Sequence, residues 1–554
     1  MGIEGYTRWL YDSYPDCFSA APASKPRSFD HLYLDLNGHF HYWAYQGAKN
    51  EEHLTKLVYK DVDRILKLLQ PRKSVVMMMD GPAPRAKLLT QRARRADRAA
   101  KPQKTSIDTT QLSPGTPMMA RVRRAVLYLI YSRLQSKTYA DVAFFFSGPE
   151  VAGEGETKVQ ERLLAHAAAE PTDTHVCFGS DADLILQCVC ATAHKVSVCL
   201  NLNKGDHLLD IGKLVQKVFN QRPGDNVKRP NALSDSELSG ARSDFTLLSL
   251  FMGNDYLPSI KTGDMKRVLP IYLKLRKGYR KRSLLSVTPD GTAVKIDWGM
   301  FLELVTRCTT RGDKAGADEG EDAAAEEADE PEPEPEPQPQ LAAVVYDDDD
   351  DVDDEEIVMF QPKASPPPVQ SATGKLMMPL FLPPKKSTPT LPEPEPEPEP
   401  EPVLPVPAVA VKPSVTKKQA AEEELVRDYL HGLLWNVTMM RVGICDDYSY
   451  AFAGGGARTG KAPTFSQLSK YLTGIARKDK SSLGSFDPRQ GGTTTASTSA
   501  LTPLQFCLAV MPISAKDSLS PAVQAVMDDD SVNDVFTDMT LDVTTEDVAA
   551  RIAA

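Results

Sequence analysis

The residues with the most chemistry to offer lie in the stretch 147–158, which reads SGPEVAGEGETK. Glu154 and Glu156 stand one residue apart, interleaved with Gly153 and Gly155, after the apolar run 142–146 and before a helical pattern over 157–166. That order reads as strand, flexible turn, helix. Two carboxylates at such a turn repel each other unless something positive sits between them. A hard divalent cation, Mg²⁺ or Mn²⁺, is the simplest such group, because it takes oxygen ligands. A solvated acidic turn would carry the same residues, so the rest of the chain has to decide.

The pattern recurs. Leu32, Tyr33, Leu34 and Leu36 make an apolar strand that ends near Asp35, and a second strand over 74–79 runs into Asp80. A third, 175–178, is followed by Asp181 and Asp183, and Asp255 follows an apolar helix over 244–252. An acid at the carboxyl end of an apolar strand is the usual place for a site residue in an open α/β sheet. Strands alternating with helices over 29–257 indicate an α/β domain with a largely parallel sheet, whose strand-end loops gather at one edge. Asp35, Asp80, Glu154, Glu156, Asp181, Asp183 and Asp255 can then meet in one crevice. Seven carboxylates there cannot all stay ionised without cations, so convergence predicts two metal ions.

The elements between these acids follow from periodicity. Residues 50–70 and 121–134 read as helices, 111–119 as a loop, and 184–190 and 195–200 as further strands. After Pro82 and Pro84 comes a basic helix over 85–98, on which Lys87, Gln91, Arg94 or Arg95, and Arg98 share one face. Lysine, glutamine and paired arginines beside a strand-end Asp supply donors for a phosphate next to a metal.

Composition divides the chain. Residues 313–411 hold 26 acidic and 5 basic residues, so a chain of formal charge −11 carries about ten surplus positive charges outside that tract. A mildly basic body suits a nucleic-acid partner. The tract has Pro-Glu repeats and an acidic run at 347–356, cannot bury a core, and is expected to be disordered. It divides the chain into an α/β domain over 1–310, a linker over 311–418 and a mainly helical region over 419–554. The tract reads first as a plain linker, with Tyr346 and the apolar run 376–382 as the alternative docking motifs for protein partners. Eight cysteines show no zinc spacing and read as free thiols of a reducing compartment. No secretory signal or membrane span is read, which predicts an intracellular protein, cytoplasmic rather than nuclear.

The residues resemble the XRN family of 5′→3′ exoribonucleases. The matching stretches are Arg8-Trp9-Leu10, Leu34-Asp-Leu-Asn-Gly38, Asp80-Gly-x-Ala83-Pro-Arg-Ala-Lys87 and Gln91-Arg-x-Arg-Arg95. Pro114-Gly-Thr-Pro117, Ser147-Gly-x-Glu-Val151, Gly153-Glu-Gly-Glu156, Ser180-Asp-Ala-Asp-Leu-Ile185 and Gly253-Asn-Asp-x-Leu-Pro258 match as well. Beyond the linker, Tyr429-x-x-Gly-Leu-x-Trp435 is similar to the family's second conserved region. The resemblance implies a PIN- or flap-endonuclease-like core and two Mg²⁺ or Mn²⁺ ions held by the seven carboxylates. It also implies Lys87, Gln91, Arg94 and Arg95 on the 5′-monophosphate of single-stranded RNA, and His41 stacked on a terminal base. Where the family has a Ser-Trp-x-Trp run this chain reads Cys445-Asp-Asp-Tyr-Ser-Tyr450, so Tyr448 or Tyr450 is the candidate for the second stacking ring. The chain therefore reads as a divergent member that ends short of the family's further segments, acting as a monomer on 5′-monophosphorylated RNA. Two alternatives are a DNA flap nuclease of the same superfamily and an inactive RNA-binding scaffold.

Overall fold

The computed structural model describes residues 3, 5–99, 105–179, 181–191, 195–202, 205–220, 235–279, 282–287, 294–309, 417–454, 460–478, 483–489, 499–543 and 551. Helix α1 (Tyr6–Ser13) and the short strand β1 (Phe18–Ala20) precede β2 (Phe29–Asp35), α2 (Leu36–Tyr45), α3 (Glu51–Leu69) and β3 (Pro71–Met78). Next come α4 (Arg85–Ala99), α5 (Pro117–Leu134), β4 (Ala143–Ser147), α6 (Gly155–Ala169), β5 (His175–Phe178) and α7 (Ala182–Cys190). The sheet is completed by β6 (Val196–Leu202) and β7 (Gly205–Asp210), after which α8 (Ile211–Asn220), α9 (Asp235–Ser249) and α10 (Met265–Gly278) follow. A small hairpin, β8 (Leu285–Val287) and β9 (Val294–Ile296), leads to α11 (Trp298–Cys308). The later residues form α12 (Lys417–Val442), α13 (Phe465–Lys478), α14 (Pro503–Val510), α15 (Pro521–Met527) and α16 (Asn533–Thr537).

Seven strands make one sheet in the order β1-β7-β6-β5-β2-β3-β4. The run β6-β5-β2-β3-β4 is parallel, and β7 is antiparallel to both β6 and β1. This is the mostly parallel α/β sheet that the alternating pattern predicts. Its central strands are buried on both faces, as parallel strands must be when helices cover each side. Leu32, Leu34, Val75, Met77, Val176 and Phe178 face the core closed by α2, α3 and α5. The alternate residues Tyr33, Val76, Met78 and Cys177 face the other core, built with α6 to α13. Each large apolar side chain so buried contributes ~1.5–3 kcal/mol.

That second core includes Val426, Leu430, Trp435, Phe465 and Leu483, so the residues after 417 and the residues before 309 bury one another. A third core joins Ala83 and Leu88 at the start of α4 to Phe506, Val510, Met527 and Phe536. The disorder expected of 311–418 concerns residues outside the described ones, except Lys417 and Lys418, which begin α12. Among the described residues no helix is long and apolar enough to cross a membrane.

One element was expected as a strand and is a helix. Residues 184–190 lie in α7, whose every residue is buried. A short run, apolar but for Gln187, has too little period to separate strand from helix. What starts the helix is the polar residue before it: Asp181 takes the N-cap position and accepts from the backbone N of Asp183 at 3.2 Å.

Candidate functional site

Parallel strands in register end together. Asp35 on β2 sits opposite Met78 on β3, and Met78 sits opposite Ser147 on β4. Three helices begin at this edge, with Asp35 at the N-cap of α2, Glu154 at that of α6 and Asp181 at that of α7. Helix N-termini present unpaired N–H groups and partial positive charge, and so favour carboxylates. Gly155 N donates to Asp80 Oδ1 at 2.7 Å, and Asp80 N donates to Asn37 Oδ1 at 3.1 Å. A Cβ on Gly155 would run into Asp35 Oδ1, so glycine is what lets Asp35 and Asp80 close onto the start of α6. Gly153, at φ +102°, turns the chain in a way few other residues adopt.

Each of the seven predicted carboxylates lies within electrostatic reach of at least one other. Burial pushes Asp35 well above the usual carboxylate range, and Asp80, Asp181 and Glu154 push it further. Burial, then Asp181 and Asp183, do the same to Glu156. Burial, then Asp181 and Asp255, raise Asp183. Two cations from α4 pair directly with Glu154 and Asp255. Lys87 Nζ donates to Glu154 Oε1 and lies 3.1 Å from Asp255 Oδ2, while Arg94 donates to both Asp255 oxygens. Burial alone would raise Asp255, but Lys87 and Arg94 hold it below its ordinary range. Burial would also discharge Lys87, yet Glu154 and Asp255 hold its ammonium well above the usual lysine value.

One acid is left wanting. Asp183 is 1 % exposed and its Oδ1 is buried without a hydrogen-bond donor. Burial and mutual repulsion disfavour the charged forms of Asp35, Glu156 and Asp183, and a bound cation would relieve both. A crowded all-oxygen donor set with an unpartnered buried oxygen is what a hard divalent cation satisfies, so the residues fit Mg²⁺ or Mn²⁺. The donors are gathered but not closed: among the described residues, no three His, Cys, Asp or Glu side chains surround a point where a metal ion could be held.

Helix α4 divides the residues expected on a phosphate. Lys87 and Arg94 face the acids, as above. Gln91 lies between them, one turn from each, with its Oε1 buried and lacking a donor. Arg95 departs from expectation. Arg95 is 8 % exposed, and its guanidinium donates to Val510 O at 2.7 Å and Ser113 Oγ at 2.6 Å. The reason is geometric, since one step along a helix turns a side chain by about 100° and carries Arg95 toward the 503–538 segment. Arg92, absent from the expected site, is 1 % exposed and donates to the carbonyls of Ala509, Val535 and Asp538 at 2.7–2.8 Å. Its spacing of four from Leu88 and three from Arg95 was the legible signal. The side chain of Arg98 lies outside the described residues.

His41 sits half-buried on α2, six residues after Asp35. Tyr450 is 5 % exposed, with its ring against Trp435 and His431 and its hydroxyl on Asp428 O, so it offers no free face. Tyr448 borders the site: its carbonyl accepts from Arg85 N at 3.0 Å, and a Cβ on Gly153 would lie 3.2 Å from its hydroxyl. Two further residues escaped the sequence reading. Lys158, one helical turn after Glu154, donates to Met79 O at 2.9 Å and Gly148 O at 3.0 Å, and burial lowers it to about 8. It ties the ends of β3 and β4 together beneath the acids. Tyr256, whose hydroxyl donates to Glu154 Oε2, gave no signal beyond its place beside Asp255.

Fold and site together define an α/β protein with an acid-filled crevice at the carboxyl edge of a parallel sheet. Residues 1–201 match the family described as the XRN 5′-3′ exonuclease N-terminus, the family that the motifs of this stretch resemble. A 5′-3′ exoribonuclease 2 homolog of Caenorhabditis elegans is 26% identical over 378 residues, covering 50% of this chain and 39% of that protein. A 5′-3′ exoribonuclease 1 of Schizosaccharomyces pombe is 27% identical over 324 residues, covering 50% of this chain and 24% of that protein. A 5′-3′ exoribonuclease 2 of Neurospora crassa is 31% identical over 244 residues, covering 34% of this chain and 23% of that protein. The chain thus spans well under half the length of these relatives. The catalytic core of Rad2 in complex with DNA substrate overlaps at a TM-score of 0.32 and 14% identity, over 50% of this chain and 71% of that one, too slight a likeness to argue from.

Proposed function

We propose that the chain is a 5′→3′ exoribonuclease that removes nucleotides from single-stranded RNA bearing a 5′-monophosphate, in RNA turnover. The observation that carries this reading is the meeting of seven carboxylates with the Lys87–Gln91–Arg94 face of α4 at one sheet edge. Bound there, Mg²⁺ or Mn²⁺ would supply an activated water and charge neutralisation for the leaving oxygen. The seven carboxylates, Asp35, Asp80, Glu154, Glu156, Asp181, Asp183 and Asp255, are the residues to hold it, and the donor-free Oδ1 of Asp183 is the clearest demand for it. Lys87, Gln91 and Arg94 then bind and orient the terminal phosphate, and a pocket fitted to one phosphate rejects a longer 5′ end by size. Tyr448 and His41 are the rings available for base stacking, worth ~1–3 kcal/mol per base with little sequence preference.

End-labelled RNA decides the matter. With Mg²⁺ the purified chain should release mononucleotides from 5′-phosphorylated single-stranded RNA and stop on EDTA addition. Cleavage confined to flapped DNA would replace the reading with the flap nuclease, and RNA binding without release would replace it with the scaffold. Lys87→Ala should narrow the preference for 5′-phosphate over 5′-hydroxyl RNA by about tenfold, the worth of one charge-assisted hydrogen bond. An unchanged ratio would remove Lys87 from the phosphate pocket.

A further inference from the structure

Glu154 differs from the other six acids in having both oxygens engaged by donors from different parts of the chain. Lys87 on α4 takes Oε1, and the Tyr256 hydroxyl takes Oε2. Tyr256 is 2 % exposed, and its backbone is fixed by Asn254 Oδ1, which accepts from Tyr256 N and Leu257 N at 3.1 Å each. The ring is held from two sides. Lys87 Nζ lies 5.8 Å from its centroid, in cation–π range. Trp435 of α12 packs edge-on at 5.4 Å and 85°. Trp435 is itself fixed, 3 % exposed and donating from Nε1 to Asp447 O at 3.0 Å.

From this chain of contacts we infer that Tyr256 is a positioning residue for Glu154, and that Trp435 acts on the site through it. The hydroxyl fixes the plane of the Glu154 carboxylate, and the indole fixes the hydroxyl. The region after residue 417 therefore reaches Glu154 through this aromatic pair as well as covering the core. The inference rests on the proposed metal-dependent nuclease. Outer partners that orient a ligating carboxylate commonly change metal affinity by about 10–100-fold.

Tyr256→Phe keeps the ring, the packing on Trp435 and the cation–π contact, and removes only the hydroxyl. Mn²⁺ titration of the full chain by calorimetry, without RNA, is the first readout. We expect Tyr256→Phe to weaken Mn²⁺ binding about tenfold, with kcat falling and KM for RNA unchanged. Trp435→Leu should weaken Mn²⁺ binding in the same direction. Placed in the Tyr256→Phe background it should add nothing further, because the group it steadies is gone. Unchanged Mn²⁺ affinity in Tyr256→Phe overturns the inference while leaving the nuclease reading intact. Additive losses in the double variant overturn the role of Trp435, since general loosening of the core would add. Absence of Mn²⁺ binding by the unmodified chain overturns both readings together.

Discussion

The two ends of the sheet both collect ionisable side chains, and they treat them oppositely. At the amino end His31, His166 and His175 stack, with ring centroids 4.4 Å and 5.0 Å from His31. There His31 Nδ1 meets Ser74 Oγ at 2.8 Å and Nε2 meets Asp173 at 2.9 Å, while the Tyr33 hydroxyl bonds Nδ1 of both other rings at 2.9 Å. Lys73 closes the cluster on Asp173. At the carboxyl end the acids face one another, Lys87 and Arg94 pair with Glu154 and Asp255, and Asp183 keeps an oxygen without a donor. Burying polar groups is costly unless they are paired, so the paired end reads as support for the fold. The unpaired end stores a demand that a ligand must meet. Crowding alone does not mark a site; crowding without satisfaction does.

The contrast can be broken at its strongest point. Asp183→Asn should lower cleavage on the order of 100-fold or more. It should also raise the stability of the metal-free chain by about 1–2 kcal/mol, by relieving repulsion from Asp181 and Asp255. Single-turnover rates and melting in EDTA test both halves, and a destabilised metal-free variant would show that the end is already satisfied.

Helix α4 repeats the contrast on a smaller scale, with Lys87 and Arg94 on the acids and Arg92 on three backbone carbonyls. Arg92→Met should cost about 3 kcal/mol, because those carbonyls lose their donors in a dry core. The surviving folded fraction should keep its 5′-phosphate preference. Denaturant melts and the 5′-phosphate to 5′-hydroxyl ratio read the two effects apart.

Acid should reach the amino end first. Burial lowers His175 to about 4, from an ordinary value of 6.5. As pH falls below 6.5 the unfolded chain takes up this proton and the folded chain does not, so stability is lost down to about pH 4. The loss is about 3 kcal/mol for this residue. Asp244, which burial pushes up to about 7, acts in the opposite sense, gaining stability as pH falls. The stability of the chain minus that of His175→Gln, measured from pH 7 to pH 4.5, isolates the histidine and should shrink as pH falls. The smallest effect is that of Tyr33→Phe, which removes one hydroxyl from two rings. It should cost about 1–2 kcal/mol and leave cleavage unchanged.

By itself the sequence determined the acids and the strands that carry them. An acid after an apolar run of strand length is a local pattern, and parallel strands then place every such acid at one edge. Gly153 and Gly155 belong to the same local logic, since only glycine permits the turn and the close approach. Tertiary structure decided the rest, starting with 184–190, where a short buried run has too little period and a capping aspartate settled the matter. It also decided between Arg94 and Arg95. Helical spacing alone put either arginine beside Lys87, and only the 503–538 segment, laid against the far side of α4, drew Arg92 and Arg95 away from the acids. Tyr256 and Trp435 were illegible for the same reason: their meeting joins residues 179 positions apart, and no local pattern records a contact made by folding.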